Sequence, residues 1–567
     1  PGVTIRSYGG LGQLSTISIR GSTAAGVRVL LDGIPLDTAA GGGVDLSSIP
    51  LHWVDRVEVV RGAEGAYFGA GATGGAVNVI TRQAVAGKWG VELTGGSFGT
   101  ATAVADVGLG DEHWAVLAAL TASTTQGDFP FLTPSSPSVP DSPLVEQVRS
   151  NDAASQGGLL VKGKWVPGLD RLDGVVQLSW GWRQLPGVPA APTPDDWQRG
   201  GRASGALRWS RLLGSGLTLE AGLAGRYEVL DVQVSPPGGS GMTDQKDLAG
   251  GGEARVTWEA GPSLLSVGAL ASAERLDSTA SGDHERPTFA GWASDDFTIG
   301  RDVARVSPAV RVDAVGPYVG VSAKLGASVR VAGPLSVRAS GGRSYRPPSF
   351  SELYLVQGPF QPNPDLRPEV AWSVDGALVY DGPLGRASVG GFGSLYDDLI
   401  VYEPGLVPGS FKPQNTLSAS AAGLELEAIS AAWKGAWNLQ GQLSYTFMAT
   451  DVLRGVPGVV GKELPQRPRN RLFARASVDP GPAGGHVEAQ FVGAQWLDAR
   501  NLHAVPASVV VNAGAFARIL KDPEVRIGAE VKNLLDDMTL QDGFGYPLPS
   551  RTLLVTVRVG TPPENGR

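Results

Sequence analysis

The stretch DRVEVVRGAEGAYFGAGATGGAVNVITR (55–82) decides how this chain is read. Strand-like runs open and close it, and between them glycine recurs at Gly62, Gly65, Gly69, Gly71, Gly74 and Gly75. Glycine takes positive φ without strain and lets backbones approach closely, so this density suits a compact sheet with tight turns. ISIRG (17–21) and VLLDGIPL (29–36) stand just upstream and complete a small glycine-rich module in the first eighty or so residues. A far longer body of alternating strands follows it.

In that body, Leu325, Ala327, Val329 and Val331 fall on one face of KLGASVRVAG (324–333), opposite Lys324, Ser328 and Arg330. The same period of two runs through GLTLEAGLAGRY (216–227) and through 552–559. A soluble β-sandwich alternates in the same way, so periodicity alone leaves both architectures open. The membrane barrel is favoured because strand-like runs continue for roughly 480 residues with no helical period. At about 22 residues per strand and turn, that length gives about 22 antiparallel strands. Trp180, Trp182, Tyr227, Trp258, Trp292, Tyr380 and Trp437 stand near strand ends, as an interfacial girdle requires. Long polar or Pro-rich stretches near 127–150, 184–202, 233–248, 277–288, 356–369, 403–417, 451–470 and 495–506 are expected to be loops on the ligand-facing side.

Composition agrees with an all-β body: Gly 80 and Pro 41 are high and charge is sparse at 18%. Cysteine is absent, which removes disulfides, thiolate metal sites and cysteine nucleophiles. A net charge of −8 argues against a nucleic-acid groove, which needs clustered Lys and Arg. No apolar run reaches the eighteen or so residues of a transmembrane helix, so any membrane role falls to strands. The abrupt start at PGV, without a visible signal peptide, is expected to lie inside a longer precursor.

The first eighty residues resemble the plug of TonB-dependent outer-membrane receptors. The matched pieces are IRG at 19–21, LLDGIPL at 30–36 and VEVVRGAEGAYFGAGATGGAVNVIT at 57–81. Further matches are SYRPPSFSELY (344–354) with NPDLRPE (363–369), LPQRPRN (464–470), and VKNLLDD with GYPLPSRT (531–537, 545–552). The resemblance implies a plug over 1–84 lodged in a 22-stranded transmembrane barrel over 85–567. Its plug-motif residues are Gly21, Asp32, Gly33, Gly62, Gly69, Gly74, Gly75 and Asn78. It also implies coupling to the inner-membrane TonB–ExbB–ExbD complex, although the TonB box would lie upstream of Pro1. The ending TPPENGR, in place of a terminal aromatic, departs from the family pattern.

Arg20 and Arg61 each precede a glycine in apolar strand contexts, where burial is costly unless carboxylates meet them. The resemblance implies a lock of Arg20 and Arg61 with Glu369 of LRPE and Glu425 of GLELEA; the bland alternative is that both arginines make ordinary contacts within the plug. For the outer mouth, the turns 7–13 and 37–43 are expected at the plug apex, with Tyr8, Gln13 and Asp37 facing the ligand and Tyr8 as a stacking contact.

Other chemistry finds little support. GAGATG (69–74) matches G-x-G-x-x-G, but the strand-like GAVNVITR follows it where a dinucleotide site needs a helix. The histidines, His52, His113, His284, His486 and His503, have no metal-ligand spacing. No nucleophile elbow or P-loop occurs, so no enzyme is expected. No cofactor is expected either, beyond possible calcium at loop carboxylates such as Asp128 and Asp152, for which solvated charges are the plain alternative.

The expectation is therefore TonB-dependent uptake of a scarce nutrient across the outer membrane of a Gram-negative bacterium. Plug similarity favours the cobalamin transporter branch, so the expected ligand is cobalamin or a related corrinoid. A ferric siderophore is the alternative within the family. A passive pore or adhesin in contact with outer-membrane lipid, without energy coupling, is the alternative outside it.

Overall fold

The computed structural model describes residues 1–136, 142–235, 241–300, 303–404, 410–433 and 437–562. Beyond residue 88, 22 antiparallel strands close into a barrel, from Trp89–Gly96 round to Thr552–Gly560. The last strand returns to the first, with Leu554 opposite Gly96 and Gly560 opposite Gly90. Closure pairs every strand on both edges, which a β-structure in lipid requires because no water is there to satisfy free amides. Among the described residues no helix is long and apolar enough to cross a membrane.

The period of two sets which face meets lipid. Along Leu217–Val234 the outward Leu223 is 67% exposed, whereas the inward Arg226 is buried against the plug. Leu325, Val329 and Val331 face out in the same way, as do Leu553, Val555 and Val557 on the closing strand. Exposed Trp89, Trp114, Trp165 and Trp258 mark the end of the barrel with tight turns, such as 214–216 and 383–384. Trp180 and Trp182 stand near the other end of their strand. Trp292 is a correction: it points into the lumen, where the Arg311 guanidinium lies 4.8 Å from its ring centroid. Strand parity decides this, because Phe289 and Phe297 of the same strand face out.

Long connections gather at the opposite end, at 126–153, 185–196, 347–368, 455–469, 493–507 and 533–551. The expected loops at 233–248, 277–288 and 403–417 are instead mostly strand. Leu217–Val234, Gly241–Ala260, Ser263–Ser278, Gly282–Ile299 and Phe411–Ser430 run far up the barrel; residues 236–240 and 405–409 lie outside the described residues. These ends rise past the apolar band, where runs such as Asp244–Asp247 are polar on both faces and lose their hydropathy alternation. Segment 533–551, read from sequence as part of the closing strands, is a long connection.

The plug fills the lumen. Strand β1 (Val3–Ser7) pairs with β2 (Ser15–Ile19), and a mixed sheet follows in the order β4-β3-β6-β5, from Val27–Leu31 (β3), Ile34–Pro35 (β4), Val54–Arg61 (β5) and Gly75–Thr81 (β6). Ile17, Ile19, Val29, Leu31, Leu36, Val77 and Val79 form its core. Asp32 and Gly33 both have positive φ and turn β3 into β4, the Asp-Gly geometry favoured in two-residue hairpins. The four-residue helix Gly65–Phe68 precedes GATG, and the strand β6 follows it, so no helix amino terminus follows the glycine pattern.

Candidate functional site

The plug is seated by charge pairs that cross from its loops to inward-facing barrel residues. Arg20, at the end of β2, donates from Nε and Nη2 to the two carboxylate oxygens of Glu425 at 3.0 and 2.9 Å. Its guanidinium also lies 4.6 Å from the Phe392 ring centroid, and its carbonyl accepts from the Tyr396 hydroxyl. Arg61 reaches the same Glu425 at 3.4 Å and donates to the Pro1 carbonyl. Fork-to-carboxylate pairing satisfies both ions with fixed geometry, which is what makes their burial tolerable.

Glu369 is a correction to the expected lock. It accepts from Arg346 at 2.7 Å and from the amide of Ile400 at 2.8 Å, and no plug arginine meets it. Arg346 stands directly opposite Glu369 in the register of neighbouring barrel strands, so a local partner takes the carboxylate. Arg346 also forks onto Glu352, which caps the short helix Phe350–Tyr354. Glu369 thus braces the segment 347–368 at the mouth.

Further seat pairs were not foreseen. Lys162 of the barrel donates to Asp32 at 2.9 Å, while Asp32 also accepts from the Thr81 amide at 3.0 Å and the Asn78 side chain accepts from Gly33. Arg183 meets Asp45 at 2.7 Å, and Lys324 meets Glu64. Burial pushes the Glu64 carboxyl up to about 6 against the opposing pull of Lys324. The plug-motif glycines lie at turns and contacts; at Gly62, φ is +99° and a Cβ would stand 2.9 Å from the Ser373 hydroxyl of the barrel.

At the mouth, the expected contacts divide. Tyr8 stacks on Phe544 of 533–551, with ring centroids 4.5 Å apart, and meets the edge of Tyr546. Gln13 is only 2% exposed and its amide donates to the carbonyls of Asp152 and Gln184. Gln13 is therefore a tie between apex and loops, which corrects its expected exposure to ligand. Asp37 does line open space: a cavity of about 810 Å³ runs between plug and barrel past Asp37, Thr38, Gly41 and Ser349. On its wall Arg226 joins Asp247, Glu274 and the Asp37 carbonyl at 2.6, 2.7 and 2.9 Å.

Asp128 is exposed, whereas Asp152 is 1% exposed with no hydrogen bond to its carboxylate oxygens. Among the described residues no three acidic or histidine side chains gather as a metal site. Burial pushes Asp152 up to about 7 against nearby Arg149, and Asp542 likewise up to about 7 against three backbone hydrogen bonds.

The fold, a plug locked in a closed barrel, agrees with two family models: "TonB-dependent Receptor Plug Domain" over residues 1–76 and "TonB dependent receptor-like, beta-barrel" over 243–534. The chain belongs to the TonB-dependent receptor family. It is thus an outer-membrane receptor by family as well as by architecture. Over 81 residues, 14% of this chain and 13% of that protein, it is 48% identical to the vitamin B12 transporter BtuB of Vibrio cholerae. The BtuB of Photobacterium profundum is 25% identical over 557 residues, 94% of this chain and 84% of that protein. Among solved structures, the copper transporter OprC superposes with a TM-score of 0.81 at 16% identity, covering 99% of this receptor and 95% of that chain. The ferric yersiniabactin uptake receptor FyuA from Yersinia pestis gives 0.79 at 15% identity, covering 99% and 93%. At those identities the likeness is one of fold.

Proposed function

We propose that this receptor imports a scarce extracellular nutrient with energy from the TonB–ExbB–ExbD complex, and that the nutrient is cobalamin or a related corrinoid. The observation that carries the ligand assignment is the similarity to vitamin B12 transporters, which reaches 48% identity over a segment of 81 residues and extends at 25% identity over 94% of the chain. The seat is consistent with a movable plug: polar pairs such as Arg20–Glu425 and Lys162–Asp32 hold it, and polar contacts re-form after displacement more readily than an interlocked apolar core. Asp37 and the 37–43 turn, at the top of the large cavity, are the contacts proposed for the ligand.

Titration of the purified receptor with cyanocobalamin and with several ferric siderophores tests the ligand. Saturable nanomolar binding of cyanocobalamin is expected; the same behaviour with a ferric siderophore alone would replace the corrinoid assignment. Uptake by cells with and without TonB tests the coupling, since a passive pore or adhesin would admit solute equally in both.

A further inference from the structure

A second cavity, of about 480 Å³, lies between plug strand β1 and the barrel wall, bounded above by residues 540–543 and below by Pro1 and Gly2. Arg6 of β1 and Arg471 of the strand Asn470–Asp479 both line it. Arg6 is 8% exposed, and its Nε and Nη2 are buried without a hydrogen-bond partner. Four other buried arginines do meet carboxylates: Arg20 with Glu425, Arg183 with Asp45, Arg226 with Asp247 and Arg346 with Glu369. Among the described residues no carboxylate pairs with Arg6 or Arg471.

Positive charge accumulates there. Burial brings the Arg6 guanidinium down to about 10 against the pull of Tyr8, and the like charge of Arg471 adds a smaller push in the same direction. Arg467 adds a third cation close to Arg6; it spends its donors on the carbonyls of Gly21, Ser22 and Pro465 and also lacks a carboxylate. Asp542 borders the cavity; its Oδ1 accepts from the Phe544 and Tyr546 amides, its Oδ2 is buried without a hydrogen-bond partner, and the cation acting on it is Arg149, not Arg6 or Arg471. An uncompensated buried charge is strongly destabilising, and these cations together call for a counter-ion. The neutral donors Gln466, Gln490, Gln495 and Ser444 line the same space.

We propose that Arg6 and Arg471 form an internal oxyanion-binding site beneath the outer loops, taking a phosphate or carboxylate group. Guanidinium forks match the paired oxygens of both groups, and the glutamines supply further N–H donors. The shared chemistry has two sources: free phosphate, or an acidic group carried by a larger imported molecule. The site stands on its own geometry, whichever nutrient the receptor imports.

The test is calorimetric titration of the full purified chain in detergent with inorganic phosphate, followed by competition with dimethyl phosphate and with acetate. Binding of one phosphate per chain is expected, with a thermal midpoint that rises as phosphate is added. Arg6→Gln and Arg471→Gln should each weaken binding at least about tenfold and remove the phosphate-dependent shift in midpoint, since a charge-assisted hydrogen bond is lost. Arg56→Gln, an exposed plug arginine paired with Asp55 and Glu58, should change neither. If Arg6→Gln fails to fold, Arg471→Gln gives the same reading from the barrel side. Phosphate binding without competition assigns free phosphate, and competition by dimethyl phosphate or acetate assigns an acidic group of a larger ligand; both keep the site. No saturable binding, or equal affinity in the wild type and both arginine variants, overturns it.

Discussion

Arg20 and Glu425 are joined by two hydrogen bonds, 3.0 and 2.9 Å long, that cross from plug to barrel between residues 405 positions apart in sequence. Glu425 is 8% exposed and serves Arg61 as well, so two plug cations share one barrel carboxylate. Arg61 is more exposed and its contact is longer, so it contributes the smaller share.

Removing that carboxylate should unseat the plug. Glu425→Ala strands a buried guanidinium, a change that typically costs about 3–5 kcal/mol. Planar-bilayer recordings of the variant are expected to show a higher passive conductance than the wild type. Glu369→Ala, which disturbs the Arg346 brace and the Ile400 amide but no plug contact, should leave conductance near the wild-type level. The reverse ranking would move the lock back to Glu369.

Asp32 should matter more than its partner Lys162. Lys162→Ala removes the charge pair and the ammonium's bonds to the Thr81 carbonyl and hydroxyl, whereas Asp32→Ala removes the pair and takes the acceptor from both the Thr81 amide and the Thr81 hydroxyl, the contacts that tie the β3–β4 hairpin to β6. The extra loss is that of a hydrogen bond to a charged group, about 1.5–3 kcal/mol. Hydrogen exchange of the plug amides should speed up in both variants and further in Asp32→Ala; equal rates would confine Asp32 to its barrel contact.

What could be read from sequence divides by the range of the interaction. Leu217–Tyr227 and Thr552–Val559 showed their outward faces because lipid and lumen impose opposite polarity on neighbouring residues. Strand length was hidden above the membrane, where Asp244–Asp247 are polar on both faces and resemble a loop. Glu425 was found by resemblance, but resemblance misplaced Glu369, whose partner Arg346 follows from a strand register no local pattern reveals. Trp292 was placed by residue type, although parity with Phe289 would have turned it inward. Asp32–Lys162 and Asp45–Arg183 depend on how the plug is rotated in the lumen, which neither segment encodes alone.

The apex should loosen as pH rises. Asp152 and Asp542 flank the Tyr8–Phe544 contact from the loops, and burial lifts both to about 7, above their ordinary value of 3.8. Between about pH 4 and 7 the folded state therefore binds more protons than the unfolded state, so stability falls with rising pH across that window and levels off above it. Hydrogen exchange of residues 8–13 and 540–546 is expected to be slower at pH 5 than at pH 8. Asp542→Asn, which keeps an acceptor without the charge, should flatten part of that dependence. A pH-independent rate difference after correction for intrinsic exchange would remove the two carboxyls from the account.

Gly62 and Gly42 offer a controlled comparison of strain against contact. Both have positive φ, +99° and +89°, so alanine costs about 1–2 kcal/mol at either from backbone conformation alone. At Gly42 nothing lies within 4 Å of the added Cβ, whereas at Gly62 it would stand 2.9 Å from the Ser373 hydroxyl, which already accepts from the Ala63 amide at 2.6 Å. The hydroxyl cannot swing away without orphaning that buried amide, so Gly62→Ala must push the plug off the wall. Its plug should become protease-sensitive at a lower temperature than that of Gly42→Ala. Adding Ser373→Ala, which removes the obstacle but leaves the Ala63 amide without its acceptor, should restore only part of the difference, and full restoration would show that the contact alone, and not the hydrogen bond, sets the cost.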